Sequence, residues 1–227
     1  LVSNFQNPKG TSLSLPRRRQ LAALADRFGV VILEDDPYGD LIFRGERLPP
    51  VASLGSSNVL RISTFSKTLA PGLRIGWLSG DEALVRKATI VKQAADLHTA
   101  TLSQRATATL LRDFDLDGHL AKLRAVYGQR CDTMLAALRA TMPPGTTWVE
   151  PGGGMFVWMQ LPNGLDAEAL FAAALAKQVA FVPGSAFFVD AIRRDFLRLN
   201  FSNRPPELIT EGMRRLGEVV YAAVASP

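Results

Sequence analysis

The sequence predicts an α/β protein that continues into a smaller α+β domain. Two observations support this prediction. Helical and strand patterns alternate up to about residue 115, and short strands with two further helices follow Pro143. We therefore expect a first domain over residues 1–115 and a second domain over residues 116–227, which begins with a long connecting helix.

The first domain opens with a helix and a strand. Ser14 has the position of an N-cap, Pro16 lies in the first turn and Gly29 follows the last one, which predicts a helix between them. The apolar residues of this helix recur on one face: Leu21, Leu24, Ala25 and Phe28. The segment VVILEDD that follows is apolar and β-branched and ends in acids, which is typical of a buried parallel strand.

Further elements follow in the same way. VLRIST and RIGWLSG predict two strands separated by a turn at Pro71–Gly72, after a loop over residues 44–57. Helical spacing covers residues 81–97, 101–113 and 118–140. In the second domain we expect strands within 146–162, 179–184 and 196–202, and helices over 166–178 and 206–224.

The composition is that of an ordinary soluble protein, with 47% hydrophobic and 21% charged residues and a net charge of +5. No apolar run approaches the roughly 18 residues of a membrane span, so we expect a cytoplasmic protein without a membrane partner. The single Cys131 excludes an internal disulfide and a multi-cysteine metal site, and we expect a buried thiol and no metal. The basic clusters, including Arg17–Arg19, are interpreted as solvated helix faces rather than a nucleic-acid surface.

Polar residues collect where predicted strands end, and ligands of open α/β sheets bind at the carboxyl ends of strands. Asn7, the group Asp35, Asp36 and Tyr38, and Lys67 all have this position. Each residue alone also has an ordinary interpretation: Asn7–Pro8 as a turn, Asp35 as a helix cap, Lys67 as a surface lysine. An amine is nucleophilic only when neutral, so a lysine held inside for chemistry needs a site that depresses its pKa.

Taken together and in order, four segments resemble the pyridoxal-phosphate aminotransferases of fold type I: NFQNPKG, EDDPYGDL, STFSKTLAPGLRIGW and RLNFS. The sequence is most similar to the aminoadipate and kynurenine aminotransferase branch, and also to the aminotransferase-like domains of GntR/MocR-type regulators. The resemblance implies a three-layer α/β/α large domain, pyridoxal 5'-phosphate as cofactor, an α-amino acid and a 2-keto acid as substrates, and a homodimer. It further implies that the amino-terminal part of the large domain is missing.

The resemblance also assigns roles to individual residues. Lys67 matches the lysine that forms the Schiff base with the cofactor and moves the substrate's α-proton. Asp35 matches the carboxylate that faces the ring nitrogen of the cofactor, and Tyr38 and Asn7 match the groups that bind its phenolic oxygen. The phosphate-binding set is matched by Thr64, Ser66 and Arg74. Arg198 matches the arginine that binds the substrate's α-carboxylate.

Physical chemistry gives these residue types a reason. A carboxylate such as that of Asp35, about 4 Å from a protonated ring nitrogen, contributes roughly 4 kcal/mol at an effective dielectric constant near 20, which keeps the proton bound near neutral pH. The guanidinium of Arg198 can form two parallel charged hydrogen bonds to a carboxylate, which a lysine cannot.

Alternatives stay open at this point. The chain is an aminotransferase, an inactive truncated fragment of one, or the ligand-binding domain of a regulator whose DNA-binding segment lies upstream. The first is favoured because Asn7, Tyr38 and Arg198 are all retained. Other residues are expected to be structural: Asp36, Gly152–Gly154, the turn at 183–188, His98, His119, Trp77 and Trp158.

Overall fold

The computed structural model describes residues 1–189 and 192–225. The chain divides into two compact units. Unit 1 comprises Leu1–Gln6 and Ser12–Arg124, and unit 2 comprises Asn7–Thr11 and Ala125–Pro227. The division falls nine residues after the predicted limit at residue 115, and it also places the short segment around Asn7 with unit 2. That these units are separate domains stays a prediction.

Unit 1 is built on a three-stranded sheet in the order β1-β2-β3, with β1 at Ile32–Asp35, β2 at Val59–Thr64 and β3 at Gly76–Ser79. β1 and β2 are parallel, and Asp35 pairs with Ile62. β2 and β3 are antiparallel, and Thr64 pairs with Gly76. The carboxyl ends of β1 and β2 therefore meet at one edge of the sheet.

Along the chain, helices precede and follow the strands of unit 1. α1 spans Leu15–Phe28 and precedes β1, while α2 at Glu82–Asp96 and α3 at Thr101–Asp113 follow β3. α4 at Leu116–Thr141 begins in unit 1 and continues into unit 2. These helices match the predicted segments closely.

Unit 2 contains a four-stranded antiparallel sheet in the order β4-β5-β7-β6. Its strands are β4 at Thr147–Trp148, β5 at Phe156–Gln160, β6 at Val182–Pro183 and β7 at Phe196–Asn200, with α5 at Ala167–Ala176 and α6 at Pro206–Ala225. Side chains alternate between the two faces of a strand, so Leu197 and Leu199 enter the core while Arg198 points to the other face. The strand residues thus place Arg198 outside the apolar core.

Several local expectations hold. Cys131 is fully buried, and Trp158 lies in the core of unit 2, whereas Trp77 is only half-buried. Gly154, two residues before β5, adopts a positive φ of 75°, which suits a tight strand entry. In the part of the chain that the structure describes, no helix combines the length and apolar character needed to cross a membrane.

The expected buried face of α1 is wrong in part. Leu24 and Phe28 are 46% and 63% exposed, while the buried residues of the helix are Arg18, Ala22 and Ala25. Ser14 takes the N-cap position, but its side chain accepts no capping hydrogen bond from the helix. The β1 segment is also less buried than expected, since Leu33 is 52% exposed.

The prediction that the Arg17–Arg19 cluster is solvated is wrong for Arg18, which is fully buried. Its guanidinium donates to the backbone oxygens of Leu13, Pro49 and Ser3 at 2.9 to 3.1 Å and to Asn4 Oδ1 at 2.6 Å. Because a buried cation is tolerated only when its donors are satisfied, these partners explain the burial.

Candidate active site

The end of β1 carries the first group of predicted site residues. Asp35 is the last residue of the strand, and its backbone N–H donates to the Leu1 carbonyl at 2.8 Å. Its side chain is half-buried, and burial raises the pKa of the carboxyl above its ordinary value, an effect that the neighbouring Asp36 charge reinforces. Tyr38, three residues on, is 6% exposed. A cationic group placed beside this carboxyl would oppose the effect of burial and favour its ionised form.

Asp36 holds the backbone between these two residues. It is 4% exposed and accepts hydrogen bonds from Asn4 Nδ2 at 2.8 Å, from Gly39 N at 3.0 Å and from Arg61 Nη2 at 2.7 Å. Its own backbone carbonyl accepts from the Ser63 hydroxyl of β2 at 2.8 Å. The side chain of Asp36 is thus fully engaged in local structure, as its position in the sequence led us to expect.

Glu34 supports the same strand end from the opposite face. It is fully buried and accepts from Ser3 Oγ at 2.7 Å and from the backbone N–H groups of Val51 and Ala52 at 2.9 and 3.0 Å. Sequence analysis missed Glu34 and Arg18, because nothing in a single acid or base marks it as buried. A buried polar network, formed by Glu34, Arg18 and Asp36, therefore supports the segment that carries Asp35 and Tyr38.

Lys67 lies in the middle of a closed turn that follows β2. Leu69 N and Ala70 N both donate to the Phe65 carbonyl, at 2.8 and 3.2 Å, and Phe65 N donates to the Ile75 carbonyl at 3.1 Å. The Lys67 side chain is half-buried. The turn therefore fixes the position of the Lys67 backbone at the carboxyl end of β2.

The structure brings two of the three predicted phosphate ligands together. Thr64 Oγ1 accepts from the Ser66 backbone N–H at 3.0 Å and lies 2.9 Å from Ser66 Oγ. Arg74 has a left-handed backbone, with φ 55° and ψ 36°, and its exposed guanidinium donates to the Pro71 carbonyl at 3.2 Å. The two hydroxyls at the start of this turn are groups that can donate to a phosphate.

Unit 2 carries the other two predicted residues, and they are in contact. Arg198 Nη1 lies 2.5 Å from Asn7 Oδ1. The Arg198 guanidinium carbon also lies 4.2 Å from the ring centre of Phe156 and 5.4 Å from that of Phe187. Aromatic faces stabilise a cation and restrict its rotamers. Phe187 comes from the predicted turn at 183–188, so this turn also borders the arginine.

The predicted site residues therefore form two groups. Unit 1 holds the larger group: Asp35, Tyr38, Thr64, Ser66, Lys67 and Arg74. Unit 2 holds Asn7 and Arg198.

The chemistry of the first group fits pyridoxal 5'-phosphate: an amine for its aldehyde, a carboxylate for its ring nitrogen, and hydroxyl and guanidinium donors for its phosphate. Within residues 1–189 and 192–225, no group of three or more His, Cys, Asp or Glu side chains is arranged to hold a metal ion.

The sequence matches the family model described as Aminotransferase class I and II over residues 1–216. The chain belongs to this family. It is 42% identical to aromatic-amino-acid aminotransferase 1 of Thermococcus litoralis over 220 residues, which are 96% of this chain and 53% of that aminotransferase. It spans about half the length of the curated relatives that it matches.

Solved structures of class I and II aminotransferases confirm the fold. The crystal structure of α-aminoadipate aminotransferase from Thermus thermophilus, complexed with N-(5'-phosphopyridoxyl)-L-leucine, is 40% identical and has a TM-score of 0.94 over 99% of this chain and 59% of its own. This aminotransferase chain therefore has fold type I, as predicted from its four motifs.

A relative of another kind is an HTH-type transcriptional regulator of Bacillus subtilis. It is 33% identical to this chain over 202 residues, which are 88% of this chain and 41% of the regulator. The family thus includes proteins described as enzymes and proteins described as regulators.

Proposed function

We propose that this chain forms the catalytic part of a pyridoxal-phosphate-dependent aminotransferase, which moves an amino group between an α-amino acid and a 2-keto acid. One observation supports this proposal above the others. Asp35 is the last residue of β1, and Lys67 follows the end of the neighbouring parallel strand β2. Because Asp35 pairs with Ile62 of β2, both residues belong to the same edge of the sheet. An aminotransferase needs an amine and a carboxylate on one cofactor, and this edge supplies both.

Lys67 is the residue that we propose to carry the cofactor and to move the substrate's α-proton. When bound, the cofactor would withdraw electrons from the substrate's α-carbon, which makes that proton acidic. The closed turn Phe65–Leu69 limits the positions of the Lys67 backbone and so favours a defined path for its amine. The amine has to be neutral to act as a base.

Asp35 is proposed to hold the proton on the cofactor's ring nitrogen. Burial raises its pKa against the opposing effect of the Leu1 amino group, and a cationic ring would favour the ionised carboxylate. The buried network around Asp36 and Glu34 supports this role, because it fixes the strand end on which Asp35 lies.

We propose that the phosphate is bound by Thr64, Ser66 and Arg74. The phenolic oxygen is proposed to be bound by Tyr38 and Asn7. The contact between the Thr64 hydroxyl and the Ser66 backbone N–H supports the first assignment, since it fixes both groups in one turn. Arg198 is proposed to bind the substrate's α-carboxylate, with Asn7 and the Phe156 ring orienting its guanidinium.

The proposal extends to a homodimer in the cytoplasm. Support for a partner comes from α2, which has no buried residue, and from apolar side chains that lie exposed in the single chain: Ile90, Val91, Leu97 and Leu102. Light scattering of the purified protein tests this part, and a mass of one chain at micromolar concentration contradicts it.

Transfer of labelled nitrogen tests the proposed reaction. The protein produced from its complete gene is loaded with pyridoxal phosphate and incubated with a nitrogen-labelled α-amino acid and an unlabelled 2-keto acid. We expect labelled product amino acid from wild type, none from Lys67→Ala, and wild-type transfer from Lys122→Ala, a control at an exposed lysine of α4. Failure of wild type across a panel of amino acids, or transfer by Lys67→Ala, contradicts the proposal.

A second candidate is a regulator's cofactor-binding domain, which the similarity to the Bacillus subtilis regulator favours. The two candidates differ in what precedes residue 1 in the gene. A helix-turn-helix segment there, together with the absence of nitrogen transfer, would favour the regulator.

A further inference from the structure

A histidine of α4 is hydrogen-bonded to the turn that carries Lys67. His119 Nε2 lies 2.9 Å from the backbone oxygen of Thr68, the residue that follows Lys67. A carbonyl oxygen only accepts hydrogen bonds, so His119 Nε2 carries the proton and donates it. Thr68 is 8% exposed, so its carbonyl has little access to water.

The other hydrogen bonds of this turn come from nearby sequence. Leu69 and Ala70 bond to Phe65 within the turn, and Ile75 is ten residues away from Phe65. His119 lies 51 residues from Thr68 and belongs to a separate helix. The His119 hydrogen bond therefore connects the turn to another element of unit 1, whereas the local hydrogen bonds connect it only to residues nearby in the sequence.

The histidine is itself held in place. Its ring lies 5.4 Å from the Phe114 ring, centre to centre, with an interplanar angle of 58°. The first turn of α4 is stabilised by Asp115, whose side chain accepts from Gly118 N at 2.9 Å and whose carbonyl accepts from His119 N at 3.1 Å. A donor on a stabilised helix start can define the position of its acceptor.

The same part of α4 makes a second contact of this kind. Arg124 Nε donates to the Asp40 carbonyl at 2.8 Å, two residues after Tyr38. The first half of α4 thus donates hydrogen bonds to the backbone beside Lys67 and to the backbone beside Tyr38. Both Lys67 and Tyr38 belong to the first group of site residues.

We propose that His119 is a positioning residue of the transamination site, acting through the Thr68 carbonyl on the turn that carries Lys67. This inference rests on the proposed function. Proton transfer requires donor and acceptor about 3 Å apart, and a displacement of about 1 Å can lower the rate by about 100-fold. His119 contacts neither Asn7 nor Arg198 in the hydrogen bonds described above, so its loss should affect the chemical step rather than substrate binding.

Two substitutions separate the hydrogen bond from the bulk of the ring. His119→Leu removes the donor, and His119→Gln places an amide N–H where it can reach Thr68. We expect His119→Leu to lower kcat by about 10- to 100-fold with KM changed less than about threefold, and to shift the pH midpoint of the bound cofactor's visible absorbance. His119→Gln should restore kcat to within about fivefold of wild type. His98→Leu, at an exposed histidine between α2 and α3, is the matched control and should match wild type.

Hydrogen exchange supplies a readout that needs no cofactor. The amides of Leu69 and Ala70 should exchange faster in His119→Leu than in wild type or His119→Gln, because the turn loses its bond to α4. If His119→Leu does not fold, His119→Asn, whose shorter amide cannot reach as far, takes its place in every comparison.

Unchanged kcat, absorbance and exchange in His119→Leu would overturn the inference, and so would an equal loss in His119→Gln. The proposed function is tested separately by nitrogen transfer in wild type. If wild type transfers no nitrogen, that function is wrong, while hydrogen exchange still decides whether His119 positions the turn.

Discussion

Arg198 and Asn7 are 191 residues apart in the sequence, yet Arg198 Nη1 lies 2.5 Å from Asn7 Oδ1 within unit 2. The segment Asn7–Thr11 belongs to unit 2 although the residues on both sides of it belong to unit 1. At Gly10, with φ 68°, a side chain would lie 3.2 Å from both the Phe156 carbonyl and the Pro151 side chain, so the segment passes close to the start of β5. This close approach is what brings Asn7 to the arginine.

Arg198→Lys should therefore weaken substrate use strongly. A lysine keeps the charge but cannot form two parallel hydrogen bonds to a carboxylate, and it loses the planar contact with Phe156. We expect kcat/KM for the amino acid to fall by about 100-fold, mainly through KM, in steady-state assays. Arg204→Lys, at an exposed arginine of the same unit, should stay within about twofold. An Arg198→Lys enzyme with wild-type kcat/KM would show that Arg198 does not bind the carboxylate.

Gly39→Ala should destabilise unit 1. A Cβ at Gly39 would lie 2.5 Å from Asp36 Oδ1, and Asp36 cannot move without breaking its bonds to Asn4 and Arg61. We expect a loss of about 1 to 3 kcal/mol in the free energy of unfolding, measured by denaturant titration. Gly212→Ala, in α6 with open space around it, should instead stabilise by about 0.5 to 1 kcal/mol. Equal stability of Gly39→Ala and wild type would argue against a rigid Asp36 network.

Arg18→Met tests the buried arginine of α1. The change removes the Arg18 donor from the buried Asn4 side-chain oxygen and one of two donors from the buried Ser3 carbonyl, which keeps the Leu13 N–H. We expect a loss of about 2 to 4 kcal/mol in the free energy of unfolding. Arg19→Met changes an exposed residue of the same helix and should cost less than about 0.5 kcal/mol. Similar effects of the two substitutions would contradict the inferred role of Arg18.

The elements that sequence analysis predicted well are those with a regular pattern. α2 and α3 carry helical spacing over their whole length, and β7 alternates apolar and polar residues around Arg198. The segment around Lys67 was recognisable because it occurs in order with three other segments of the family, although a lysine alone could equally lie at the surface. Local pattern and family resemblance were sufficient for these features.

Other features depend on contacts between distant residues, which a single sequence does not contain. Arg18 looks like its exposed neighbours Arg17 and Arg19 and differs only through partners on other elements. His119 has no motif around it, and its relation to Lys67 arises because α4 passes Thr68. The exposure of Leu24 and Phe28 likewise could not follow from helical spacing, which shows a common face but not what covers it.

Asp35 predicts a particular pH dependence of stability in the cofactor-free protein. Burial raises the pKa of its carboxyl when the protein is folded, so the folded state binds more protons than the unfolded state between the ordinary pKa of 3.8 and the raised value. Stability should therefore fall as the pH rises through this interval. Asp35→Asn lacks this effect and should be more stable than wild type near neutral pH, with the advantage lost below 3.8.

Denaturant titrations at a series of pH values measure this difference. Asp117→Asn, at an exposed aspartate of α4, serves as the control and should follow wild type. A difference between Asp35→Asn and wild type that stays constant with pH would show that the carboxyl is not perturbed. With pyridoxal phosphate bound, wild type should be more stable than Asp35→Asn, because the ring nitrogen loses its charged partner in the variant.

Borohydride reduction of the protein with pyridoxal phosphate, followed by peptide mass spectrometry, tests most directly that Lys67 carries the cofactor. Reduction converts the bond between the cofactor and the lysine amine into a stable one, so the labelled residue can be read. We expect the label on the peptide that contains Lys67 and on no other, and its disappearance in Lys67→Arg. A label on a different lysine, or the same labelling in Lys67→Arg, would contradict the account.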